Sequence, residues 1–77
     1  MSLDKSSINF SSSESSATVN VTASSTWSAT SNSSWCTVSK NNNILTISVY
    51  SNTGSSRTAT ITVVCGNITK TVTINQA

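Results

Sequence analysis

Residues 17–23 read Ala17-Thr18-Val19-Asn20-Val21-Thr22-Ala23, and residues 59–65 read Ala59-Thr60-Ile61-Thr62-Val63-Val64-Cys65. In both stretches apolar side chains take every second position. Successive side chains of a strand point to opposite faces, so this period buries one face and wets the other. A strand covered on both faces would be a continuous apolar run. The longest such run here is Val63-Val64-Cys65. The alternation returns at Ile8 and Phe10, at Trp27 and Ala29, and over 35–39, where Cys36 and Val38 are in phase. It returns again at Leu45, Ile47 and Val49, and at Ile68, Val72 and Ile74.

Turn signals separate these runs: a polar loop over 11–16, Ser24-Ser25, residues 31–34, the asparagines of 40–43, and Asn52-Thr53-Gly54. Asparagine tolerates left-handed backbone and bonds its own main chain. Gly66-Asn67 suits a two-residue type II′ hairpin. No segment shows a helical apolar period, and the seven Val and six Ile favour a pleated surface. The pattern predicts an all-β domain over 1–77: an antiparallel immunoglobulin-like β-sandwich of about seven short strands. A small barrel is the alternative. Residues 1–6 read as a loosely ordered N-terminal segment.

Composition narrows the chemistry. Of 77 residues, 19 are Ser, 13 Thr and 9 Asn, while charged residues are only 8% and His is absent. Without His there is no neutral-pH proton shuttle and no imidazole ligand. Asp4 and Glu14 are the only carboxylates, a poor basis for paired acid–base work. A serine nucleophile needs a positioned base, and no Gly-flanked turn presents a serine beside a lysine. No catalytic residue, metal site or cofactor is expected. Lys5, Lys40, Arg57 and Lys70 are scattered, which argues against nucleic acid. No run approaches the roughly 20 apolar residues of a spanning helix. Met1–Ser7 has no apolar signal region, so either a signal has been removed or the chain is cut from a longer protein. The hydroxyl-rich surface suits an extracellular setting. Sequons at Asn9, Asn20, Asn32 and Asn67 carry no weight in a chain this rich in Ser and Thr.

Cys36 and Cys65 sit in phase with the apolar faces of their strands. Three readings compete: an inter-strand disulfide contributing about 3.6 kcal/mol, two buried thiols, or one exposed thiol. Among the aromatics, Trp27 reads as core. Tyr50 is out of phase with Leu45, Ile47 and Val49, and Trp35 with Cys36 and Val38. These two are the candidate ligand-binding faces, because exposed aromatic rings stack on sugars. For Trp35, one of the two sets faces outward or the strand bulges.

The order Trp27…Trp35, Asn52-Thr53-Gly54, Arg57 and terminal Gln76-Ala77 resembles the BACON family, the Bacteroidetes-associated carbohydrate-binding often N-terminal module. The resemblance covers about Ile8 to Ala77. It implies an immunoglobulin-like, non-catalytic accessory module of a secreted or cell-surface (periplasmic or outer-membrane-associated) bacterial protein. Its implied partners are glycans or mucin and the neighbouring domains of a parent chain. A purely structural spacer is the alternative. The resemblance gives Asn52, Arg57 and Gln76 structural readings: a turn holder, a cation stacked on an indole, and a tie from the last strand. Cys36 and Cys65 depart from the family pattern. The two functional readings differ in one feature: a binding module needs two or more exposed, coplanar aromatics, and a spacer needs none.

Overall fold

Burial follows the alternation. In a computed structural model describing residues 1–77, Val19, Leu45, Ile47, Val49, Ile61, Val63, Val72 and Ile74 are each 0% exposed. Their neighbours Thr18 and Thr71 are exposed, and Thr60 is half-buried. Eight strands result: β1 (Ser2–Leu3), β2 (Ser7–Phe10), β3 (Ser15–Thr22), β4 (Ser28–Ser31), β5 (Cys36–Asn41), β6 (Ile44–Val49), β7 (Arg57–Cys65) and β8 (Ile68–Gln76). One sheet has the order β1-β3-β6-β5 and the other β2-β8-β7-β4. This is the immunoglobulin sandwich of a four- and a three-stranded sheet, with the first strand divided so that β2 joins the second sheet. The inner faces of both sheets meet in one cluster that includes Trp27, Cys36 and Cys65.

Two features depart from the sequence reading. The ladders are antiparallel except that β2 runs parallel to β8, from Ser7↔Thr73 to Phe10↔Gln76. The opening segment runs along β3. Ser2 and Leu3 pair with Thr22 and Val21, the Asp4 amide donates to the Asn20 carbonyl at 3.1 Å, and Lys5 Nζ donates to the Thr18 carbonyl at 2.6 Å. Ile68 departs too. It shares a phase with Val72 but is 43% exposed, because residues 68–71 of the β7–β8 hairpin lie beyond the cover of the opposite sheet, exposed throughout.

Both tight hairpins place their first loop residue on the left-handed side of the backbone map: Gly66 has φ 59° and Asn42 has φ 55°. Only these turn geometries match the twist of the flanking strands. The register then sorts the loops into two ends. One end, here the distal end, carries Trp35, Tyr50, Asn52, Arg57 and Ala77. The other, the proximal end, carries Ser2, Trp27, Asn42, Cys65 and Gly66. The long axis is 39 Å, against 19 and 18 Å across. No helix is long and apolar enough to cross a membrane.

Candidate functional site

The distal end is organised by a backbone carbonyl. Tyr50 follows β6, and its amide donates to the Trp35 carbonyl at 3.0 Å, one pair beyond the β5–β6 ladder. Its own carbonyl accepts from Gln76 Nε2 at 2.7 Å and from an Arg57 terminal nitrogen at 3.1 Å. Arg57 Nε donates to Gln76 Oε1 at 2.8 Å. Arg57 and Gln76 face each other across the β7–β8 ladder, so the fold brings them together although 19 positions separate them. Gln76 is 1% exposed, and these bonds use both ends of its amide. The Arg57 guanidinium lies 4.2 Å from the centre of the Trp35 ring, a cation stacked on an indole face.

Asn52 completes the arrangement. Its Oδ1 accepts from the Gly54 amide at 3.1 Å. Its Nδ2 donates to the Ser55 carbonyl at 2.7 Å and to the Ala77 carbonyl at 3.1 Å. Its amide reaches the Ser12 carbonyl at 2.7 Å. One side chain thus shapes its own turn and pins the end of the last strand.

Of the two candidate ligand faces, Tyr50 is 53% exposed. It borders a shallow groove of about 270 Å³ lined by Glu14, Ser15, Ser16, Ser48 and Val49. Trp35 lies in the turn that precedes β5, is half-buried, and packs against the core. That position removes the phase conflict with Cys36, which starts the strand and is 1% exposed. Arg57 occupies one face of the Trp35 ring. Trp27 is 3% exposed and carries Lys40 Nζ 5.1 Å from its ring centre, while that ammonium donates to the Trp27 carbonyl at 2.6 Å. This second cation–indole contact leaves no mark in the sequence, since it depends on β5 lying beside the chain that enters β4.

Cys36 and Cys65 are free and buried. No disulfide joins them, and the reason is distance. Cys36 sits beside Val49 and bonds the Ser31 side chain, and Ser31 pairs with Ile61, four residues along β7 from Cys65. At about 3.3 Å per residue that offset is about 13 Å, beyond the reach of a bridge. Cys65 Sγ instead lies 3.2 Å from Ser25 Oγ. Burial pushes the Cys36 thiol up, opposed by a hydrogen bond with the Ser31 side chain and by the Arg57 charge.

The sequence profile of a family described as "BACON: Putative binding domain, N-terminal" matches residues 25–77. The chain belongs to the BACON family. The matched segment holds the whole Trp35–Arg57–Gln76–Asn52 arrangement of this BACON domain. Two solved structures share the fold. One is a Bacteroides ovatus GH5 xyloglucanase in complex with a XXXG heptasaccharide, with TM-score 0.87 and 22% identity over 99% of this chain and 19% of that one. The other is the NMR structure of a protein from Bacteroides thetaiotaomicron, with TM-score 0.74 and 18% identity over 95% of this chain and 76% of that one. The BACON domain thus spans about a fifth of the xyloglucanase chain. No curated protein matches it.

Proposed function

We propose that this BACON domain is a non-catalytic accessory module of a secreted or cell-surface bacterial protein, and that it works as a stiff spacer between the parts of a carbohydrate-active chain. The observation that carries this reading is the placement of the chain's entry and exit. β1 pairs with Thr22 and Val21 at the proximal end. The Ala77 amide bonds the Phe10 carbonyl at the distal end. Domains joined on either side are held apart by the long axis of 39 Å, across a body bound by two sheets.

The side chains support the same reading. Both indoles carry a cation on the ring. Asp4 is held by the Asn20 amide and side chain, and Glu14 precedes Ser15 at the far end of β3. About 20 Å of strand separates them at 3.3 Å per residue, outside the roughly 5–9.5 Å that acid–base carboxylate pairs span. The xyloglucanase that shares the fold supplies the carbohydrate context.

One observation favours a second reading, direct glycan or mucin binding. Tyr50 is exposed beside a groove that offers a carboxylate and three hydroxyls. Affinity electrophoresis separates the two. The spacer migrates unretarded through gels containing xyloglucan or mucin. Retardation that disappears in Tyr50→Ala would overturn the spacer reading and establish the second.

A further inference from the structure

The amino-terminal ten residues strap both sheets. From the proximal end, Ser2 and Leu3 run along β3. Asp4 then bonds Asn20 through its amide at 3.1 Å, and its carboxylate accepts from the Asn20 amide at 2.9 Å and side chain at 3.0 Å. Lys5 Nζ reaches the Thr18 carbonyl at 2.6 Å. The chain then crosses to the other sheet, where β2 runs parallel to β8. The ladder opens with the Thr73 amide on the Ser6 carbonyl at 2.9 Å and closes with the Ala77 amide on the Phe10 carbonyl at 3.1 Å. Between these bonds, parallel alternation aims the Ile8 and Phe10 amides at β8 and the Asn75 amide at Ile8. On the outer face, Asn75 Nδ2 donates to Asn9 Oδ1 at 3.1 Å, and Thr58 Oγ1 donates to Asn75 Oδ1 at 3.1 Å, joining β2, β8 and β7. On the inner face Ile8 and Phe10 pack against the core.

We infer that this strap is a mechanical clamp, which lets the domain bear tension applied through its two ends. The inference rests on the spacer reading and gives it a physical task. Tension draws β2 toward the proximal end and β8 toward the distal end. Both strands lie along the pull and side by side, so their hydrogen bonds are loaded together, in shear. The β1–β3 contact is loaded in the same sense on the other sheet. A hairpin arrangement, with both pulled residues at one end of a ladder, would load one bond at a time and peel. At the exit, Asn52 Nδ2 on the Ala77 carbonyl and the paired Arg57–Gln76 side chains hold the last residues of β8 to the body.

The test needs no change of fold. Single molecules are stretched with handles at residues 1 and 77, and separately at residues 11 and 77. Ser11 follows Phe10 at the distal end, so the second geometry peels β2 from β8. We expect the shear geometry to rupture at a force at least about two-fold higher, since forced unfolding follows the barrier along the pulled coordinate. Asn9→Ala, which removes the outer-face bond between β2 and β8, lowers the shear force by more than it lowers the peeling force. Equal forces in the two geometries, or a lower force in shear, overturn the clamp. Polysaccharide gels report on the spacer reading separately: a domain that ruptures easily yet migrates unretarded is a soft spacer, and a strong one that is retarded has a clamp without being only a spacer.

Discussion

Arg57 shows how much one side chain can carry when its neighbours come from three parts of the chain. It stacks on Trp35, bonds Gln76, and reaches the Tyr50 carbonyl. A lysine lacks the planar fork that makes these contacts together. Arg57→Lys is therefore expected to lose about 1–2 kcal/mol in urea unfolding, close to the loss in Arg57→Ala. Gln76→Ala leaves Arg57 Nε without its partner and removes a donor from the Tyr50 carbonyl, at a cost of about 2–3 kcal/mol. Tyr50→Ala, by contrast, removes an exposed ring and should shift stability by less than about 0.5 kcal/mol. Cys36 makes the domain sensitive to alkaline pH. Burial raises its folded-state pKa, so above the ordinary thiol value of about 8.5 the unfolded chain ionises first. Stability from this group is fully present below that pH and is lost as pH rises through the folded value. Urea melts at increasing alkaline pH should show the decline, and Cys36→Ala should reduce its slope.

At the level of elements, the strands are the most legible part of the sequence. Ala59 to Cys65 and Leu45 to Val49 bury their alternating residues throughout, because each has a sheet opposite it along its whole length. Ile68 has the same local pattern and no such cover. The division of the first strand was equally hidden: Ser2-Leu3 is too short to show a period, and it exists because β3 offers an open edge. The turns obey local chemistry. A Cβ on Gly66 would meet no atom within 4 Å, so Gly66→Ala tests backbone strain alone at φ 59°. It should cost about 1 kcal/mol. Asn42→Gly, at φ 55°, should leave the melting temperature equal or higher.

At the scale of the whole molecule, two sheets joined face to face set the distances that matter for function. The separation of Cys36 and Cys65 predicts that thermal stability is the same with and without reductant, and that both thiols react with alkylating agents only as fast as the domain opens. Equal melting curves and slow, denaturant-accelerated alkylation check this. The alternation was enough to assign the inward and outward sides of the strands, Ile68 excepted, because side-chain direction is a local property with a period of two. The sequence also set the sandwich class and the scarcity of catalytic groups. The tertiary structure alone decided which strands became neighbours, and with them the parallel β2–β8 pair, the cation-covered indoles, the convergence on the Tyr50 carbonyl, and the opposite placement of entry and exit. Those depend on contacts between residues far apart in the chain, and a pattern that repeats every second residue carries no information about which distant strand will lie beside it.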